Sequence, residues 1–227
     1  MTALLEQIRP VARSYFDGDV APAHDWHHVE RVETNARRLV VERTASQPNP
    51  VDEQVLFPAV LLHDIGRPGE DQGVVDDHAE WGAQEATAIL EAFDLTEESI
   101  DEIAHCIQAH RFSNDVEPNT LEARLLSDAD NLDALGAIGI ARVFSYGGER
   151  GTTIYDPSCP PAKDESRAGE TSVNHFHKKI RRLPDRMYTQ AGRLLAEERL
   201  AVVDSYLESL ADEVGADESV AAFPPRQ

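Results

Sequence analysis

The sequence predicts an all-α fold, a single-domain helical bundle, on three observations. Apolar residues recur at three- and four-residue spacing in one stretch after another. No stretch sustains the alternation of a half-buried strand. Helix-starting residues and Gly or Pro breakers fall at the ends of the periodic segments. With 227 residues, 41% of them hydrophobic, the chain can bury a substantial core.

Residues 3–16 put Leu4, Leu5, Ile8, Val11, Ala12 and Tyr15 on one face of a first helix. After a loop at 17–24, Asp25 caps a second helix that reaches about Arg43, with Val29, Val32, Ala36, Leu39 and Val40 facing inward. ASQPNP, 45–50, breaks it. A third helix covers about 51–64, and Pro58 should kink it or mark its true start. RPGEDQGVV reads as a loop. Asp76 or Asp77 then caps a fourth helix that runs to about Phe93.

Thr96 opens a fifth helix, with Ile100, Ile103, Ala104 and Ile107 inward, and FSNDVEPN follows it as a loop. A sixth helix is expected from Thr120 straight through LLSDADNLDALGAIGIARVF to Gly147. The polar segment 147–172 is an insert, either a lid or disordered. Val173, Phe176, Ile180 and Leu183 mark a seventh helix stopped by Pro184, and Thr189 to Val214 an eighth. The expected organisation is one domain, 1–213, with its core at about 20–210, and a fraying tail, 214–227.

The net charge is −21, from 42 acidic and 21 basic residues. This balance argues against a nucleic-acid polymer as partner, and against an anionic membrane surface. A phosphorylated substrate would need a local positive centre, most simply a metal ion. The only lysines are Lys163, Lys178 and Lys179. Many carboxylates with so few lysines lead us to expect adaptation to high salt, where self-repulsion is screened. Two cysteines, Cys106 and Cys159, make no disulfide framework and fit a reducing cytoplasm. The N-terminus has no signal-peptide core, and the longest apolar run, Val55–Leu62, is too short to span a bilayer.

The chemistry concentrates in three places. In VLLHDIGRP, an apolar run leads directly into His63 and Asp64. Adjacent side chains on a helix differ by about 100° in direction, so two neighbours converge only on something at the helix end. A metal ion is such an object, and it compensates the burial of a carboxylate. Upstream, HDWHHVERV supplies His24, His27 and His28, with Arg31 one turn past His28. Downstream, SDADNLD sets Asp128, Asp130 and Asp133 in an otherwise apolar helix, which is costly unless they bind something.

The order H…HD…D on helices resembles the HD-domain superfamily of metal-dependent phosphohydrolases. HxxRV (His28, Arg31, Val32), LLHDIG (Leu61 to Gly66) and DADNLDALG (Asp128 to Gly136) carry the resemblance, and HFHKKI, 175–180, is similar to a later helix of small bacterial and archaeal members. The resemblance implies His28, His63, Asp64 and Asp130 as metal ligands, with Asp128 the alternative to Asp130. It implies a divalent ion, Mn, Co, Ni, Fe, Mg or Zn, and two imidazoles with two carboxylates suit such ions better than calcium.

His78 and His110 resemble histidines that hold a second ion in two-metal branches; here they could do that, bind phosphate, or cap helix ends. Lys179 matches a family lysine that could reach phosphate, and Arg67 is a further catalytic or phosphate-binding candidate. Arg31, expected to pair with an acid such as Asp133, and His24 would support the site from behind. Arg67 stands where some hydrolytic branches place acids, a departure that counts against a close match to the ppGpp hydrolases, and no Gly-Tyr-Pro signature of cyclic-dinucleotide phosphodiesterases is present, so that activity is not carried over.

The expected function is hydrolysis of a phosphoester or phosphoanhydride of a small phosphorylated metabolite, a nucleotide foremost, by a metal-activated water in the cytoplasm. The alternatives are a non-catalytic metal or nucleotide sensor and a di-iron HD oxygenase. The amphipathic C-terminal helix could serve a homodimer.

Overall fold

The computed structural model describes residues 2–18, 20–44, 50–111 and 116–215. The breaker at 45–49, the first half of the FSNDVEPN loop and the tail from 216 lie outside them. Among the described residues every regular element is helical, as the periodicity predicts. The chain divides into two compact units: 1–131 with 188–192, and 132–187 with the chain from 193 onward.

The first unit is organised around α3 (Glu53–Leu62), in which every residue from Val55 to Leu62 is buried. A helix apolar on all sides has to be surrounded. Here α1 (Thr2–Ser14), α2 (Trp26–Thr44) and α6 (Glu97–Ala109) pack on it, and α5 (His78–Leu90) packs on α6. Asp52 caps α3 by accepting the N–H of Gln54 at 2.8 Å, so the helix begins ahead of Pro58 and the proline is not its start. Asp25 takes the N–H of His28 at 3.0 Å at the entrance to α2. Asp77, of the two candidates, caps α5, and Thr96 caps α6.

RPGEDQGVV is not all loop. A short helix, α4 (Arg67–Asp71), forms directly after the His63–Gly66 turn, its start favoured by Pro68 in the first turn.

The expected sixth helix is two. α7 (Leu121–Asp133) ends, the chain crosses Ala134 and an extended Leu135, and α8 (Gly136–Glu149) begins. Gly136 has φ +69°, a conformation that side chains disfavour, and this breaks the run.

In the second unit α8 packs on α9 (Ser172–Lys178), capped by Thr171, which takes the N–H of Asn174. The seventh helix is shorter than expected: past Lys178 the chain continues as 3-10 turns at Ile180–Arg182 and Pro184–Arg186. α10 (Gln190–Val214) ends the described chain, and Phe144, Phe176 and Tyr206 form an aromatic cluster at 5.8–6.5 Å between rings. α8 extends to Glu149, so the insert starts later than expected. It folds around Asp164, whose carboxylate gathers Ser166, the N–H of Glu170 and Asn174.

Candidate metal centre

The rigid end of α3 fixes the first part of the site. His63 is its C-cap residue, still in the helical region, and is wholly buried. Its Nδ1 lies 2.8 Å from the carbonyl of Val60. A carbonyl only accepts, so Nδ1 carries the proton and Nε2 is left with a bare lone pair. His110, C-cap of α6, repeats the device: Nδ1 lies 2.6 Å from the carbonyl of Ile107.

α2 presents His28, 1% exposed, while its neighbour His27 points out and pairs with Glu30 at 2.8 Å. His24 is half-buried, edge-on to the His28 ring at 5.9 Å. α2 is tied to α7 by Asn35, whose amide donates to the carbonyl of Ala129 at 2.9 Å, next to Asp130.

These parts converge on Asp64, whose side chain is 5% exposed. One oxygen, Oδ2, lies 3.4 Å from His28 Nε2 and 3.9 Å from His63 Nε2. The other, Oδ1, lies 3.3 Å from His78 Nε2 and 3.6 Å from His110 Nε2. Asp130 Oδ1 lies 3.3 Å from His28 Nε2, and the Nε2 atoms of His28 and His63 are 3.4 Å apart. His28, His63 and Asp130 bring one ligand atom each within 4.8 Å of one another, and so do His63, Asp64 and His110. The side chain of Asp130 is 28% exposed, which makes its side the open side of the cluster.

The electrostatics are those of a cation site. Burial pulls His63 down to about 4 and outweighs the attraction of Asp64 and Asp130, so the ring is neutral. Burial also lowers His78, aided by His110 and Arg67. Burial alone would raise Asp64, but the imidazoles of His63, His110, His28 and His78 hold it well below the carboxylate range; Asp130 is lowered likewise, mainly by His28. His110 moves the other way, its burial outweighed by Asp64 and Asp130. Ionised Asp64 thus faces the bare Nε2 lone pairs of the neutral His63 and His78 rings, with the Nε2 atoms of His28 and His110 beside them. Acceptors opposed in this way, at 3.9 Å from His63 and 3.3 Å from His78, are unfavourable unless a cation lies among them. The mixed N/O donor set fits a divalent transition ion.

Asp128 turns the other way. It is wholly buried and accepts from Tyr188 N, Thr189 N and Thr189 Oγ1 at 2.6–2.8 Å, holding the start of α10. Of the two candidates, Asp130 therefore belongs to the cluster. Arg67 is engaged by acids, with Nη1 3.2 Å from Glu70 and Nε 3.2 Å from Asp71, the latter not aligned as a hydrogen bond. Asp133, 2% exposed, takes a charge-assisted bond from Arg142 of α8 at 2.7 Å, and Arg31 is half-buried on α2. Lys179 is exposed at the end of α9. His105 lines a shallow groove with Glu80 and Asp101.

Sequence reasoning missed Glu70. Its Oε2 lies 2.5 Å from His78 Nδ1, and its Oε1 takes Arg111 Nη1 at 2.9 Å. The available signal was Pro68 opening a helical turn after Gly66, which puts Glu70 one turn past Gly66.

Residues 25–135 match the HD domain family, a span that contains all six converging residues. YpgQ of Bacillus subtilis strain 168, an uncharacterized protein, is 32% identical over 198 residues, which is 86% of this chain and 85% of YpgQ. The chain belongs to the HD-domain superfamily. An HD-superfamily hydrolase from Bacillus thuringiensis is similar in structure, with a TM-score of 0.72 at 31% identity over 95% of this chain and 99% of that one. The crystal structure of B. subtilis YpgQ in complex with ADP is similar too, with a TM-score of 0.68 at 29% identity over 92% of this chain and 97% of that one. HD domains bind divalent metals, and the His/Asp cluster of this HD protein can hold one.

Proposed function

We propose that this HD protein is a metal-dependent phosphohydrolase that cleaves a phosphoester or phosphoanhydride of a small metabolite, with nucleotides the foremost class. The observation that carries the reading is the convergence of the His28, His63, His78 and His110 Nε2 atoms on the ionised, buried Asp64, open to solvent at Asp130. His28, His63, Asp64 and Asp130 would hold the ion. When bound, such an ion polarises a phosphoryl oxygen and lowers the pKa of water.

The chain's own residues do the rest. The Val60 carbonyl keeps His63 in the tautomer that offers Nε2, and the Ile107 carbonyl fixes the His110 ring with Nε2 toward Asp64. The buried floor of α3 excludes bulk water from the far side. His78 and His110 face the second oxygen of Asp64, where a second ion or the substrate's phosphate would lie. The nucleotide class is supported by YpgQ, crystallised with ADP, and by the net charge of −21, which leaves an anionic substrate dependent on a cation.

The test is elemental analysis of protein purified without chelators, wild type beside Asp64→Ala, followed by a nucleotide and phosphoester panel with Mn²⁺ and Ni²⁺. One or two ions per chain, lost in the variant, together with phosphate release, is the expected result. Absence of metal uptake, or metal without turnover across the panel, would overturn it. The four histidines around one carboxylate also suit a di-iron oxygenase, and two irons per chain with an oxygen-sensitive absorption spectrum would mark that instead.

Among the described residues no helix is long and apolar enough to cross a membrane. The acidic, lysine-poor composition supports a salt-adapted cytoplasmic protein, and its melting temperature should rise from dilute buffer to molar salt; a fall would count against that adaptation.

A further inference from the structure

His78 differs from the other histidines of the cluster in how it is held. His63 and His110 lean on carbonyls of their own helices, three residues back. His78 is the first residue of α5 and has no preceding turn to lean on. Its Nδ1 lies 2.5 Å from Glu70 Oε2 instead, on α4. Glu70 is itself held from both sides: Arg67 Nη1 reaches the same Oε2 at 3.2 Å, and Arg111 Nη1 reaches Oε1 at 2.9 Å. Arg111 also bonds Asp77, the cap of α5, at 2.9 Å, so one guanidinium fixes both Glu70 and the start of the helix that carries His78.

The consequence is a choice of tautomer. A carboxylate accepts and does not donate, so the bond to Glu70 puts the single proton of the neutral ring on Nδ1. Nε2 is then bare and 3.3 Å from Asp64 Oδ1. Without Glu70 the opposite tautomer would be favoured, because Nε2–H could donate to Asp64 and relieve the acceptor opposition locally. That tautomer blocks the nitrogen to any cation.

We propose that Glu70 is a positioning residue of the metal centre: it holds His78 as the Nδ1–H tautomer and thereby keeps Nε2 and Asp64 Oδ1 both available to an ion. This rests on the metal-centre reading. Partners of this kind orient metal-ligating histidines, and their loss weakens metal binding about 10–100-fold.

The test reads the ring directly. Long-range ¹⁵N–¹H correlation of histidine-labelled apo protein, at about pH 8 where an ordinary histidine is neutral, distinguishes the two tautomers. Glu70→Leu removes the acceptor. Glu70→Ala does so without an apolar branch beside the arginines, and serves if the leucine variant does not fold. Glu70→Gln keeps a carbonyl that can accept the Nδ1 proton.

The wild type should show His78 as Nδ1–H. The Leu or Ala variant should populate Nε2–H, with His63 and His110 unchanged, and calorimetric Mn²⁺ affinity should fall about 10–100-fold. Glu70→Gln should restore the wild-type tautomer and part of the affinity. An unchanged His78 tautomer in the variants overturns the proposal, and so does a changed tautomer with unchanged Mn²⁺ affinity. If the wild type takes up no divalent ion, the metal reading fails, and the tautomer comparison alone decides whether Glu70 sets His78.

Discussion

Asp64 Oδ2 and His28 Nε2 lie 3.4 Å apart, with both side chains at least 95% buried. The same carboxylate also faces the bare Nε2 atoms of neutral His63 and His78, a buried opposition of acceptors whose electrostatic cost a cation removes. A ligand that binds only the folded state at 100 times its Kd stabilises by about 2.7 kcal/mol. For a chain of this size that is about 5–10 °C in melting temperature. Addition of Mn²⁺ or Ni²⁺ to chelator-treated protein should raise the melting temperature by this amount, and EDTA should reverse it. Asp64→Ala should abolish the shift. A shift retained in that variant would mean that the ion binds elsewhere.

The two aspartates of DAD separate structure from chemistry. Asp128 is wholly buried and accepts three hydrogen bonds from Tyr188 and Thr189. Asp128→Asn puts an amide against those donors and should cost about 2–4 kcal/mol in urea unfolding. Asp130 is partly exposed and faces His28. Asp130→Asn should change stability by less than about 1 kcal/mol while weakening Mn²⁺ binding at least about tenfold. The reverse pattern would exchange their roles.

The helical class, the caps at Asp25 and Thr96 and the HD pair at the end of an apolar run were all legible in the sequence, because each rests on local chemistry. The α7–α8 break was carried by one glycine in an otherwise helical run, and periodicity alone reads through it. α4 is only five residues long, below what periodicity can register, and Glu70 was lost with it. Asp128 and Asp130 are two residues apart, and no local rule says which turns toward His28; the contact with 188–189, sixty residues on, decides it.

Gly66 is where the HD turn touches α5. Its φ is −82°, so the backbone does not require glycine. Space does: a Cβ there would lie 2.6 Å from the carbonyl oxygen of His78 and 3.0 Å from its Cα. Gly66→Ala should push the start of α5 away, costing about 1–3 kcal/mol in thermal or urea unfolding. It should also disturb the pairing of His78 with Asp64, so Mn²⁺ affinity falls more than in a control such as Gly148→Ala on α8, where a Cβ meets nothing and φ is not positive. Equal effects on affinity would mean that the close approach is not transmitted to the site.

Asp164 predicts an acid limb of stability in the second unit. Its side chain is covered, and burial alone would raise it, but bonds from Ser166, the N–H of Glu170 and Asn174 outweigh that and hold it at about 2. The unfolded value is about 3.9, so the folded state binds the proton less tightly. The contribution is therefore complete above about pH 5, declines as the pH falls through the unfolded and then the folded value, and is absent below about pH 2. Because the loop lies near the surface, solvent screening reduces it to about 1–2 kcal/mol. Asp164→Asn should unfold at lower urea than the wild type at about pH 7, and the difference should narrow as the pH approaches about 3. A difference independent of pH would assign the role of Asp164 to the shape of its hydrogen bonds rather than to its charge.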